Sequence, residues 1–522
     1  MTVSFGYKAL SLAVVAGLAA TTAQAAGLDR SGQDVTAFLQ DGTYAEAVYT
    51  YIDADVTGKD TSGNSVGDAA EAYDFFRFGV KGDINDRFSV GVLYDEPFGA
   101  AVEYHGDNNF VGQGADATIA ALTGGKATTI ADAQANLGKL QDGLASIEMA
   151  NGRIADLEQK QSLLTAGIAQ AKAAGADATA LALNEQLKQV EGGLALVNKN
   201  LSAGEAALLE ATGAKDLDGV KKAATDLGTA IKAAGLAEAT NGEGTNVEIR
   251  TNNVTALVGA KFGEKRNFQI YGGPAIQRLN GQVHLRGVTY QGSQGYDARM
   301  STDTDVGWVA GIAYSKPEIA LKAALTYRSE IEHETHMAET FPNLALRGIE
   351  PTTGRNFKVK LPESVNLDFQ TGVNPTTLLT AKVRYVPWSD FNITPPTYSD
   401  AARMSNPTAY PNGLPIVSYS KDQWSAEVGL GKKLSDKLAV SGAVGYDSGA
   451  GNPATSLGPI EGYWSFGLGA KYNVTPEWSV SVGGKYLKFG DATAQLPTGA
   501  HVGEFTDNDG FIAGVKLAYQ AK

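Results

Sequence analysis

Hydrophobic and polar positions alternate with a period of two over two long parts of the chain, and between those parts the period becomes helical. The pattern is clearest at 461–489. On one arm Trp464, Phe466, Leu468, Ala470 and Tyr472 share a face, with Ser465, Gly467, Gly469 and Lys471 on the other. The next arm sets Trp478, Val480, Val482, Gly484 and Tyr486 against Ser479, Ser481, Gly483 and Lys485. A side-chain period of two predicts β-strands, and Asn473, Thr475 and Pro476 predict the turn between them. Each arm is about ten residues long with aromatics at its ends, the length and dress of a strand crossing a bilayer. A soluble sheet, the alternative for this hairpin alone, would carry a charged outer face. Here the second face is Ser, Gly and Lys, which suits a wet lumen.

The same alternation predicts strands at 44–56, 75–81, 87–104, 254–262, 268–285, 306–314, 319–331, 365–373, 378–386, 423–431, 438–446 and 511–519. With the two arms above this makes about fourteen antiparallel strands, an even number as a bacterial all-β transmembrane barrel requires. Short turns at 263–267, 315–318, 374–377, 434–437 and 473–477 alternate with long connections at 57–70, 106–245, 287–303, 332–362, 388–420, 447–462 and 490–509. Short connections on one side and long ones on the other are the periplasmic and extracellular ends of an outer-membrane barrel. The third strand contains Asp95-Glu96-Pro97-Phe98-Gly99. Proline cannot donate to a ladder and glycine marks bends, so the strand must kink there or end there.

Residues 1–25 have the form of a secretory signal: Lys8, an apolar core at 9–20, and the small-x-small site Ala23-Gln24-Ala25. The following 26–43, including Leu28, Asp29 and Arg30, is too short for a domain and fits a hatch inside the lumen. Barrel strands one to three then occupy 44–105. In 106–245 the composition turns to Ala, Leu, Lys, Glu and Gln. Leu137, Leu140, Leu144, Ile147, Asn151 and Ile154, and later Leu183, Leu187, Val190, Leu194, Val197 and Leu201, step by threes and fours as coiled-coil seams do. A turn at 173–177 folds them into a hairpin, with a third helix at 220–234. This is read as an extracellular helical insertion; a separate soluble domain is the alternative. The remaining strands fill 246–522.

Composition narrows the function. The chain has 522 residues and no cysteine, which removes disulfides, thiolate metal sites and cysteine nucleophiles. Lys and Arg number 43 against 57 Asp and Glu, a formal charge of −14 that argues against a nucleic-acid partner. After the N-terminus no run of eighteen or more apolar residues provides a helical membrane span.

Several stretches resemble the FadL/TodX-type family of outer-membrane channels for long-chain fatty acids and other hydrophobic compounds. They are GLDRSG after the leader, NDRFSVGVLYDEPFGAAVEY at 85–104, 307–331, 362–391 and 464–489. The resemblance implies a fourteen-stranded barrel with an N-terminal hatch. It also implies capture of a long-chain fatty acid or other hydrophobic small molecule, and release sideways into outer-membrane lipid through a kinked third strand. Pro97, Phe98 and Gly99 are the residues for that kink. Three features depart from the family pattern: the hatch is short and lacks an Asn-Pro-Ala stretch, the chain ends Tyr519-Gln520-Ala521-Lys522 where assembly signals usually end on an aromatic, and the helical insertion has no counterpart.

No enzymatic constellation is evident, so no reaction, catalytic residue, cofactor or metal is expected. The five histidines (His105, His284, His333, His336 and His501) fall in expected loops or strand ends, and His333-Glu334-Thr335-His336 lacks H-E-x-x-H spacing. Cations on the inward parity are Lys261, Lys322, Arg328, Lys382, Arg384, Lys471, Lys485 and Lys516. A carboxylate crossing an apolar tunnel needs such partners, and Arg328, Arg384, Lys382, Lys322 and Lys261 are the candidate ligand-binding set, the two arginines first because a guanidinium grips a carboxylate with two bonds. The bland alternative pairs these cations with lumen acids such as Asp368 or Glu427. The expected assembly is a single barrel. A general porin or an adhesin-like barrel, whose coiled coil binds a partner, is the second reading of the function.

Overall fold

The computed structural model describes residues 28–521, so the leader expected at 1–25 lies outside the described residues. The chain divides into two compact units, one running to Gly112 and resuming at Gly242, the other Gln113–Asn241.

The first unit is a closed antiparallel wall. Its strands are β1 (Thr43–Asp55), β2 (Tyr73–Asp83), β3 (Phe88–Asp95 and Gly99–Glu103), β4 (Asn246–Phe262), β5 (Phe268–His284) and β6 (Asp297–Lys316). There follow β7 (Leu321–Arg328 and Ile331–Thr340), β8 (Thr352–Leu361 and Ser364–Asn374), β9 (Thr377–Val386) and β10 (Gln423–Lys433). The last are β11 (Leu438–Asp447), β12 (Glu461–Asn473), β13 (Trp478–Gly490) and β14 (Asp509–Ala521). Seventeen strand pieces form one sheet, and because β3, β7 and β8 are each broken in two, the wall has fourteen strands. It closes where β1 pairs with β14 from Thr43↔Ala521 to Asp55↔Asp509. Closure removes the two terminal edges that an open sheet would leave in lipid.

The alternation read in the sequence is the alternation of the wall. Leu468, Phe466, Val482 and Val515 face outward and are exposed, while Ser465, Ser481 and Lys516 face inward and are buried. Aromatic pairs ring the outer surface at two levels. Trp308–Tyr327, Tyr385–Trp424 and Tyr446–Trp464 lie toward the long connections, with ring centroids 5.1, 4.7 and 4.9 Å apart. Phe268–Tyr314 and Trp478–Tyr519 lie toward the short turns, at 4.9 and 5.1 Å. From Trp464 to Tyr472 the strand climbs eight residues, which at a tilt near 40° is about 20 Å of apolar band, close to the outer-membrane value.

Two expectations need correction. The stretch 332–362 is not a loop: Ile331–Thr340 and Thr352–Leu361 pair in register and extend the wall, and β6 likewise begins at Asp297 inside the expected connection 287–303. His333 and His336 therefore lie within a strand, not at its margin. His333 is fully buried, with Nδ1 2.9 Å from Asp303 and Nε2 3.3 Å from Gln277.

At the short-turn end the lumen is filled by the hatch. Val35, Ala37, Phe38 and Leu39 pack on Leu93, Leu257, Tyr271 and Val309. Phe38 fits because the wall has glycines beside it: a Cβ on Gly91 would come within 2.7 Å of its ring, and one on Gly259 within 3.0 Å. At the other end α5 (Pro396–Ser405) and a small sheet of Gly58–Asp60, Ser65–Val66, Ala454–Thr455, Ala492–Gln495 and His501–Phe505 belong to the long connections.

The second unit is helical: α1 (Gly114–Thr123), α2 (Ile130–Ala173), α3 (Asp177–Thr212) and α4 (Leu217–Ala237). Thr129 caps α2 by accepting from the Asp132 N–H, and Asp216 caps α4 by accepting from the Gly219 N–H. The turn at 173–177 is where the sequence placed it, with Gly175 at φ 70. Ile147, Leu208 and Val220 bury the contact of α2, α3 and α4, and a Cβ on Gly143 would meet Leu208 at 2.7 Å. In the first unit the ends of the interrupted wall are joined directly: Gly112 N–H donates to Glu243 O at 2.8 Å and Gly242 N–H to Gly112 O at 2.7 Å. Excision of 113–241 with Gly112 joined to Gly242 is therefore expected to leave a barrel that still assembles. Heat-modifiable migration on a denaturing gel checks it; loss of the compact, heat-sensitive band would show that the wall depends on the helical unit.

Candidate functional site at the broken strand

β3 stops at Asp95 and resumes at Gly99, as Pro97 and Gly99 predict. The consequence falls on its neighbour β2. Their ladder runs from Asp83↔Ser89 to Phe78↔Tyr94, and the next pair in the same register, eight residues along each strand, is the lone bridge Ala70↔Val102. Between these points 72–77 and 95–100 face each other with no ladder pair among the described residues. On its other side β3 stays attached: Phe98 N–H donates to Thr251 Oγ1 at 2.8 Å, Thr251 Oγ1 donates to Phe98 O at 2.7 Å, and Gly99–Glu103 pairs with β4. The wall thus has an unzipped stretch between two strands that remain in register.

The hatch occupies it. Arg30 N–H donates to Pro97 O at 2.8 Å, Gly99 N–H donates to Leu28 O at 2.7 Å, and Asp29 forms a bridge with Phe98. Buried backbone groups must be paired, and Leu28–Arg30 supplies partners that β2 does not. The two residue sets read separately from the sequence, Leu28, Asp29 and Arg30 and Pro97, Phe98 and Gly99, are therefore one paired unit. Its side chains follow suit. The Arg30 guanidinium is buried and lies 3.3 Å above the Tyr73 ring, whose hydroxyl donates to Glu96 at 3.0 Å. A Cβ on Gly99 would come within 2.7 Å of the Arg30 guanidinium carbon, so glycine here is a packing requirement. Phe98 points inward and meets Trp388 edge-on at 5.6 Å, while the Trp388 indole N–H donates to Gln423 at 2.7 Å.

Three of the five candidate cations are also tied to the hatch. Arg384 donates from Nε to Asp29 at 2.5 Å and from Nη2 at 3.1 Å, and it holds Asn366 at 2.8 Å and Gln33 at 3.1 Å. Lys382 donates to Asp34 at 2.9 Å and lies 3.7 Å from Asp368. Lys322 donates to Leu39 O at 2.5 Å. Lys261 sits 3.6 Å from Asp83, and Arg328 donates to Thr255 at 3.1 Å. The bidentate grip expected for a ligand carboxylate is made on Asp29. Lys485 pairs with Glu427, which is the bland reading for that residue.

Sequence reasoning missed three partners. Arg77 lies 3.4 Å from Asp34 and 3.3 Å from Glu46, so β1, β2 and the hatch share one charge cluster. The signal was available: Arg77 is on the inward parity of a strand whose other face carries Phe76 and Phe78. Burial works against ionisation of Asp34, yet Lys382 and then Arg77 hold its carboxyl well below the usual carboxylate range. Tyr73 and the apolar pocket were not legible.

That pocket adjoins the break. Its space, about 610 Å³ including what opens to solvent, is lined by Leu28 of the hatch, by Ala70, Gly99, Ala100 and Val102 at the resumed ladder, and by Tyr419, Leu457 and Ile460 from the long connections. A second space of about 540 Å³ on the opposite side has charged side chains in its lining, Asp34, Asp368, Lys382, Arg384, Glu427 and Lys485. One lumen therefore offers an apolar compartment beside the unzipped stretch and a charged one whose members hold each other and the hatch.

The family described as "Outer membrane protein transport protein (OMPP1/FadL/TodX)" matches residues 241–520. Among solved structures, a Pseudomonas aeruginosa FadL homologue aligns with 97% of this chain and 99% of its own at 14% identity and TM-score 0.55, which places the fold. The P. putida toluene transporter TodX aligns over 93% and 91% at 10% identity and TM-score 0.46. The Ralstonia pickettii toluene transporter TbuX does so over 95% and 95% at 8% and 0.46. No curated relative matches the chain.

Two outcomes follow for the hatch. Asp29→Ala leaves the buried Arg384 guanidinium without its carboxylate, a loss of about 3–5 kcal/mol for such a pair. Ion conductance of the protein in a planar bilayer should rise as the hatch loosens, and a current equal to that of the parent would show the pair is dispensable. Gly99→Val should displace Arg30 from Tyr73. In this cysteine-free chain, thiol labelling of an added Ala37→Cys should be faster in that background if Arg30 anchors the hatch.

Proposed function

The chain belongs to the outer-membrane transport protein family OMPP1/FadL/TodX, and from that premise we propose that it is a passive channel for hydrophobic compounds. In this reading the cargo is a long-chain fatty acid or a comparably apolar small molecule, released sideways into outer-membrane lipid where β2 and β3 are unzipped. The observation that carries the proposal is the apolar pocket lying against that stretch, sharing Gly99 and Ala100 with it. A hydrophobic molecule in the pocket is separated from the bilayer by Leu28–Arg30 and the Tyr73 ring, not by a continuous ladder. Transport needs no reaction: burial of apolar surface in lipid, at about 25 cal/mol per Å² relative to water, supplies the direction.

The engaged cations suggest how a head group is handled. A ligand carboxylate reaching Arg384 must exchange with Asp29, and one reaching Lys382 must exchange with Asp34. Either exchange cuts a tie between hatch and wall, so binding of an anionic amphiphile and loosening of the hatch become one event. A neutral hydrocarbon has no such lever. Lys322, Lys261 and Arg328 complete the proposed cationic set. The porin-like reading is less well supported, because the hatch fills the short-turn end of the lumen.

The test is uptake of labelled oleate and labelled toluene by vesicles containing the purified protein. Replacing Pro97-Phe98-Gly99 by a regular strand triplet such as Thr-Val-Thr should return uptake of both to the vesicle background. Retained uptake in that variant would end the lateral route and leave the channel. Uptake of toluene but not oleate would end the fatty-acid assignment.

A further inference from the structure

The upper limit of the unzipped stretch is the bridge Ala70↔Val102, flanked by Glu71 N–H donating to Ala101 O at 3.1 Å and Glu103 N–H donating to Ala69 O at 2.9 Å. With a period of two, Ala70 and Val102 turn to the pocket, which both line, and Glu71, Glu103 and His105 turn to the opposite face. There, one oxygen from each carboxylate and one imidazole nitrogen lie within 4.8 Å of one another. His105 Nε2 is 3.5 Å from Glu71, Glu103 accepts from Asn246 Nδ2 at 3.3 Å, and the His105 carbonyl accepts from Asn108 at 2.7 Å.

We propose that Glu71, Glu103 and His105 form a divalent transition-metal site, of the kind Zn²⁺ takes, that staples β3 to the segment preceding β2 at the rim of the unzipped stretch. Two carboxylates on diagonal cross-strand positions repel, and a divalent cation between them offsets that. One nitrogen and two carboxylate oxygens with open positions is a donor set that suits Zn²⁺, whereas Ca²⁺ takes six to eight oxygens. The Asn246 amide orients one of the three ligands, as outer partners do in metal sites, and the Asn108 bond holds the backbone that carries His105. The three ligands come from both sides of the break, so a bound ion holds the two sides at a fixed separation where the ladder restarts. The site is not legible in the sequence, because β2, a turn and most of β3 separate Glu71 from Glu103 and His105.

The binding claim stands apart from the transport reading; the stapling claim rests on it. Calorimetric titration of the purified full-length protein in detergent with ZnCl2 should show a single saturable site in a chain that has no thiol to compete. Glu71→Gln and His105→Ala, both at exposed positions, should each weaken it at least ~10-fold while keeping the heat-modifiable barrel. His284→Ala and His501→Ala, which remove the His284–Asp297 and His501–Glu504 pairs, should leave it unchanged, and excess Ca²⁺ should not displace the metal. No saturable binding, or binding that survives both site variants, overturns the site. If the site holds, Zn²⁺ should slow toluene uptake by vesicles, chelation should restore it, and Glu71→Gln should be insensitive. Zn²⁺ sensitivity that persists in Glu71→Gln, or parent uptake indifferent to bound Zn²⁺, overturns the staple while leaving the site.

Discussion

A backbone donor or acceptor inside a bilayer must have a partner within the protein, and the break in β3 places several at risk. Pro97 has no N–H, and the Pro97 carbonyl and the Gly99 N–H face a stretch of β2 that does not pair with them. Leu28 and Arg30 meet both groups. The hatch is therefore part of the wall as well as a plug in the lumen. Its position is fixed by main-chain bonds at the break, by Phe38 wedged among glycines at the short-turn end, and by carboxylates held on the far wall.

Those carboxylates explain where the lumen charges went. An isolated buried cation is costly, and the usual remedy is a paired carboxylate with its remaining bonds filled. Asp29 and Asp34 serve Arg384 and Lys382 in that way, and Asn366 and Gln33 occupy more of the Arg384 fork. The residues best suited to bind a ligand's head group are thus already bound to a part of the protein that would have to move. In the proposed reading, cargo recognition and hatch retention draw on the same side chains, and strengthening one weakens the other.

The wall was legible because lipid imposes a two-residue alternation, and strands such as 464–472 carry it without interruption. It stopped being legible where the strands leave the membrane. In 331–340 the buried face is Ile331, His333, Thr335, Met337 and Glu339, three of them polar, so no apolar alternation marks a strand. The same holds for 297–305. The kink was legible because Pro97 and Gly99 have local backbone consequences. The pairing of Asp29 with Arg384 was not, since 355 positions separate them and an inward arginine alone does not name its acid. The pocket was least legible, because Leu28, Val102 and Ile460 meet only after the whole wall has closed.

A passage through the break has an energetic consequence that follows from these bonds. To open it, Leu28–Arg30 must withdraw, and the Pro97 carbonyl and Gly99 N–H then lose their partners. Two buried groups left unpaired cost about 1–3 kcal/mol each. The open state is then populated roughly once in thirty to once in tens of thousands of molecules, before the Arg30–Tyr73 contact and the Asp29–Arg384 pair are counted. A neutral ligand can raise that population only by apolar contact with the opened edges. In the proposed reading an anionic ligand also takes over Arg384 and so removes one of the restraints. The difference between the two cargo classes would thus appear in the rate of opening before it appears in the affinity of the pocket.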